Sequence, residues 1–130
     1  KREFGEVMTP MELIKPMLKT LPKSIWNSPN ERWFDPAAGT GNFPIVIYYL
    51  LMTHLKSIPE KKRSKHIIEK MLFLNELNPE NAEKCRRIFK LIDPDAHLNL
   101  TIGDYLSTPS FHTERGVAGV PTQSAHTPKA

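Results

Sequence analysis

The sequence is short of the features that would mark it as secreted or membrane-bound. It holds one cysteine, Cys85, so no disulfide can form within the chain, and a lone thiol points to a reducing, cytoplasmic setting. It holds no apolar run near the roughly 20 residues that a membrane helix needs. The longest such run, Phe43 to Met52, has the length of a buried core helix. The first residues, KREFGEVM, lack the apolar segment of a secretory leader. Neither sign of charge dominates. Lys and Arg number 18 against 14 acids, a formal charge of +4, which is compatible with a polyanionic partner but on charge alone slightly favours a solvated positive surface. Glycine numbers only six, and two of these flank Thr40.

What is present is an alternation of helix and strand signals. In TPMELIKPMLKTL, Thr9 can cap a helix, Pro10 suits its first position and Glu12 completes a capping box, while Pro16 should kink or shorten it. Residues 22–31 read as loop. RWFD reads as a short strand ending at Asp35, AAGTGN as a turn, and residues 43–55 as a helix apolar nearly all round and therefore buried. Residues 60–70 read as a surface helix. Its basic stretch EKKRSKH can contact phosphate or simply face water, and the second reading is preferred because a simple crossover puts it away from the ligand edge.

MLFLNEL has the pattern of a buried parallel strand. Asn78 caps the next helix with Pro79 at its first position, and Ala82, Cys85, Ile88, Phe89 and Ile92 make its apolar face. Cys85 is expected to pack there as a small hydrophobe. HLNLTIGDYL alternates Leu98, Leu100 and Ile102 and reads as a third strand ending near Gly103 and Asp104. Residues 107–130 are rich in Ser, Thr, Pro, Gly and His without periodicity, and read as a disordered or non-native tail after a domain at 1–106.

Strands alternating with helices imply an α/β fold with a parallel sheet, in which ligands sit outside the carboxyl ends of the strands. Three acids, Asp35, Glu76 and Asp104, end the three strands on that one edge. Gly39 and Gly41 allow a ligand to approach the backbone, at a helix start with free N–H groups. Dinucleotides and S-adenosylmethionine are both held this way, and a plain strand-to-helix turn looks the same. The dinucleotide fingerprint is disfavoured: Pro44 takes the third glycine's place, and Glu76 lies 35 residues beyond Gly41 where that motif has its acid about 20 residues on. Glu76 suits the two hydroxyls of a ribose, or the dipole of the following helix. Asp104 suits an adenine amine, or an ordinary turn. Leu77 and Tyr105 suit the two faces of an adenine, or the core.

The chain resembles the S-adenosylmethionine-binding half of a class I methyltransferase, and within that group the N6-adenine DNA methyltransferases of restriction–modification systems. FGEVMTPMELI resembles their leading motif, DPAAGTGNF their glycine turn, NELNPENAEKC their ribose segment (with Asn78 where aspartate is more usual) and GDYL their third-strand end. The likeness covers residues 4–106. It implies a Rossmann-like class I methyltransferase fold, a parallel sheet with flanking helices, truncated after the third strand. It implies S-adenosyl-L-methionine as cofactor and DNA as the partner of the full-length enzyme. It implies cofactor contacts from Phe4, Thr9, Pro10, Asp35, Pro36, Ala37, Gly39, Gly41, Phe43, Glu76, Leu77, Asp104 and Tyr105. Thr9 and the Gly39–Gly41 backbone would hold the methionine end. Asp35 would orient the turn, Glu76 would take the ribose, and Asp104, Leu77 and Tyr105 would frame the adenine.

The family's Asn-Pro-Pro-aromatic loop, which polarises the adenine amine and stacks the flipped base, has no counterpart here. The expectation is a cofactor site without a reaction centre, inactive alone, able to self-associate through an exposed sheet edge. The alternative is a non-catalytic methyltransferase-like binding module completed by a partner chain.

Overall fold

In the computed structural model, residues 11–104 are described. The expected cap at Thr9 and Pro10, the residues Phe4 and Tyr105, and the 107–130 tail lie outside them. Helix α1 (Met11–Leu18) leads through a 3₁₀ turn (Lys23–Asn27) to strand β1 (Trp33–Asp35). Helices α2 (Asn42–His54) and α3 (Glu60–His66) and a π-helical turn (Ile67–Met71) precede strand β2 (Leu72–Glu76). Helix α4 (Pro79–Ile92) and strand β3 (Asn99–Ile102) complete the described order. The sheet runs β1-β2-β3 with both pairs parallel. All three carboxyl ends therefore lie along one rim, as the alternation of elements implied. In register, Asp35 faces Leu74 and Glu76 faces Ile102.

Side-chain alternation on the strands divides the sheet into two faces. Trp33, Leu72 and Leu74 join Ile14 and Leu18 of α1, Ile47 and Leu51 of α2, and Cys85 and Phe89 of α4 in one buried cluster. The helices thus press the sheet from the side that their apolar stripes require. On α4, Asn78 accepts the Glu80 N–H at 2.9 Å and Pro79 fills the first helical position, as its sequence predicts. That bond satisfies one of the donors a helix start leaves open.

Pro16 lies inside α1, as expected, and the helix ends two residues later at Leu18. Pro16 removes one bond from this short helix, and the complete burial of Ile14 and Leu18 on either side holds the helix in place. Three local expectations need correction. Residues 22–31, read as loop, contain the 3₁₀ turn. Trp26 is buried there and stacks on Trp33 at 4.8 Å with 16° between rings, an anchor that local turn chemistry does not reveal. The surface helix expected over 60–70 is a helix only to His66. Beyond it the wider π turn buries Ile67, Ile68 and Met71, which a surface helix would have exposed in part. Ile102 is 46% exposed rather than packed inward. Its register partner is Glu76, so the core has already given way to the polar rim at that level.

The basic stretch of α3 is also more anchored than a purely solvated face. Lys61, Lys62 and Lys65 are exposed. Arg63, however, donates to the carbonyls of Ile58 and Met52, and Ser64 Oγ donates to Asp93 at 2.7 Å and is bonded to the Tyr48 hydroxyl. No helix among the described residues is long and apolar enough to cross a membrane.

Candidate functional site

The rim is built from the strand ends inward. At the end of β1, Asp35 is 2% exposed and its Oδ1 accepts the Ala37 N–H at 3.0 Å, which bends the chain into the glycine turn. Ala38 donates its N–H to the Asn75 carbonyl on β2 at 2.9 Å. Gly41 then caps α2 with φ of 105°, a conformation that side chains rarely adopt. A Cβ there would also stand 3.1 Å from Cys85 Sγ, so the turn and α4 meet through the missing side chain.

Glu76, at the end of β2, is 5% exposed. Its Oε1 accepts the Gly39 N–H at 2.6 Å and its Oε2 accepts the Asn78 N–H at 2.9 Å. One carboxylate therefore joins the glycine turn to the start of α4. Each oxygen keeps further acceptor capacity, because a carboxylate offers about four lone-pair sites. Asn75, one residue earlier, is 1% exposed and reaches both neighbouring strand ends. Its Nδ2 donates to the carbonyls of Pro36 at 3.3 Å and Gly103 at 2.9 Å, and its Oδ1 accepts from Thr101 Oγ1 at 2.7 Å. Gly103, after β3, donates its N–H to the Glu76 carbonyl at 2.9 Å.

The expected site residues fall into groups. Asp35, Gly39, Gly41 and Glu76 are brought together at the turn, with Pro36 partly buried and Ala37 exposed beside them. Leu77, 51% exposed, and Asp104, exposed, follow the ends of β2 and β3. Phe43 is 5% exposed and belongs to the hydrophobic cluster beneath the turn. Asn75 was not singled out from the sequence. Its signal was there, a buried amide interrupting the apolar run LFL, which demands hydrogen-bonding partners.

Cys85 packs as expected, buried and free of disulfide. Burial, and secondarily the negative charge of Asp35 and Glu76, pushes its thiol up to about 12. The unfolded chain ionises this thiol near its ordinary value of 9.0, while the folded chain keeps it protonated. Its contribution to stability is thus fully present below pH 9.0 and is lost as pH rises from there through about 12. Folded protein at pH 8 should resist a thiol-specific aromatic disulfide reagent and become reactive only across the denaturant transition. Rapid labelling under native conditions would show that the turn does not cover the thiol.

Two cavities, of about 430 and 480 Å³, lie elsewhere, around β3 and the amino-terminal side of the sheet. They share Phe73 and Asn99, and neither is lined by Gly39, Gly41, Glu76 or Asp104. No group of three or more potential metal-ligating side chains occurs among the described residues.

Solved structures share the fold. The type I restriction enzyme EcoKI M protein aligns with a TM-score of 0.60 at 21% identity, over 94% of this chain and 28% of its own. A modification subunit described as belonging to a type I restriction enzyme of Vibrio vulnificus YJ016 aligns with a TM-score of 0.59 at 18% identity, over 82% of this chain and 20% of its own. The likeness defines the class of fold: three strands of a Rossmann-like, methyltransferase-type α/β sheet with flanking helices. The chain spans between a fifth and somewhat over a quarter of those two proteins. The search of curated proteins returns no match. The family model described as N-6 DNA Methylase matches residues 1–125, and the chain belongs to that family.

Proposed function

We propose that this chain is the S-adenosyl-L-methionine-binding portion of an N6-adenine DNA methyltransferase whose full-length form methylates adenine in DNA. The observation that carries the reading is the shared rim. Asp35 with its glycine turn, Glu76 and Asp104 follow the carboxyl ends of three adjacent parallel strands, and Glu76 clasps the turn directly. Family membership and the likeness to type I modification proteins support it.

The residues present fit such a cofactor by the chemistry of their donors and acceptors. The start of α2 offers N–H groups to a carboxylate, and Gly39 and Gly41 let it come close to the backbone. Glu76 offers acceptors to ribose hydroxyls, and Leu77 and Asp104 offer an apolar surface and an acceptor to an adenine. When bound, the cofactor supplies an electrophilic sulfonium methyl. Around it, this chain's residues bind and orient. With no Asn-Pro-Pro-aromatic segment in the sequence, the proposal includes no methyl transfer by this chain alone. Residues 1–106 form the cofactor-binding unit in this reading, cytoplasmic and able to self-associate through the sheet edge.

Calorimetric titration tests the reading. S-adenosylmethionine should bind saturably at one site per chain, NAD should give no heat of binding, and a methyl-transfer assay on DNA should stay at background. A folded sample that is silent to S-adenosylmethionine would remove the proposal.

A further inference from the structure

Resting on that reading, we propose that Asn75 is a positioning residue for nucleoside recognition. It holds Gly103, and so sets where Asp104 meets the adenine amine, while tying that point to the turn that takes the methionine end. The argument starts from an anomaly of composition. Asn75 follows Leu72, Phe73 and Leu74 in the central strand of the described sheet and is 1% exposed. An apolar side chain would serve strand packing there without desolvating an amide.

What the amide adds is a pair of contacts, and both go to segments that carry proposed cofactor residues. Its two N–H groups point at two carbonyls, which can only accept, while its oxygen faces a hydroxyl, which can donate. The orientation of the amide is therefore set by its partners. One carbonyl belongs to Pro36, directly after Asp35. The other belongs to Gly103, directly before Asp104.

Gly103 is where this matters most. Its φ is 136°, and among the described residues no atom beyond its chain neighbours lies within 4 Å of the position a Cβ would take. Packing therefore does not hold it from that side. Two hydrogen bonds do, from its N–H to the Glu76 carbonyl and from Asn75 Nδ2 to its own carbonyl. Removing the Asn75 bond takes away one of these two holds and loosens the direction in which Asp104 leaves the sheet.

The test compares S-adenosylhomocysteine with S-inosylhomocysteine, whose base carries an oxygen in place of the amine, by calorimetry on the whole chain. Wild type should prefer the amine by about tenfold or more, the scale of a hydrogen bond to a charged acceptor. Asn75→Ala should bring that ratio close to one. Gly103→Ala, which meets no neighbour but is strained at this φ, should reduce the ratio with Asn75 still in place. It serves also if Asn75→Ala does not fold. Equal weakening of both ligands with the ratio kept, in either variant that folds, would mean a merely structural role and overturn the inference. Equal binding of both ligands by wild type would overturn it too. Wild type binding neither ligand would instead remove the cofactor reading on which it rests.

Discussion

Replacing Glu76 by alanine is expected to cost about 3 kcal/mol of stability, the scale for two hydrogen bonds to one buried charge, and to abolish binding of S-adenosylmethionine. The carboxylate is 5% exposed and is the acceptor for both the Gly39 and the Asn78 N–H. Alanine leaves the two donors short of their partner in a place that water reaches poorly. It also removes the tie from Gly39 to β2, leaving only the bonds that Asn75 makes to the turn, so the site loses support as well as an acceptor.

Glu76→Gln separates these effects. Its single carbonyl oxygen can replace one acceptor, but its amide group then faces the other N–H, donor against donor. It should fall between wild type and alanine in stability and still bind far more weakly than wild type, because the ribose loses acceptors. Chemical denaturation reads the first quantity and calorimetry the second. A Glu76→Ala protein with an unchanged denaturation midpoint would show that the clasp on Gly39 does not support the fold. Unchanged cofactor affinity would show that the ribose lies elsewhere.

Gly41→Ala carries the second large effect, a loss of about 2–3 kcal/mol. Backbone conformations of this kind cost a non-glycine residue about 1–3 kcal/mol, and the added methyl meets Cys85 Sγ at 3.1 Å. The two causes are separable. Cys85→Ala removes the sulfur that the new methyl would strike. The double variant should therefore be less destabilised than the sum of the single ones, by the contact part alone. The backbone part should remain, since φ at residue 41 is unchanged by the truncation of Cys85. Thermal or denaturant unfolding of the four proteins closes the cycle. Strict additivity would mean that α4 moves away from the turn at little cost and that packing against Cys85 does not shape it. Because a domain of this size is stable by only about 5–15 kcal/mol, either loss should be visible in one melting curve.

Both predictions concern contacts between parts of the chain far apart in sequence, and this is where reading the sequence meets its limit. The alternation of elements, the parallel sheet, the Asn78 cap with Pro79 behind it and the burial of Cys85 were all legible. So was the gathering of Asp35, Glu76 and Asp104 at one rim, because strands joined by helical crossovers run the same way. These follow from periodicities and capping rules that act within a few residues.

The pairing of Trp26 with Trp33 could not be read, nor could the π turn that buries Ile67, Ile68 and Met71, nor the outward position of Ile102. Each depends on which surface a segment happens to face. The same holds for the partners of Asn75 and Glu76. That a buried amide and a buried carboxylate needed partners was implicit in the run LFLNE. That the partners are Gly39, Pro36 and Gly103 depends on strands β1 and β3 lying on either side of β2. Local rules act through the nearest few residues and can state a polar group's demand. Only the folded sheet brings groups 28 to 39 residues apart to meet it.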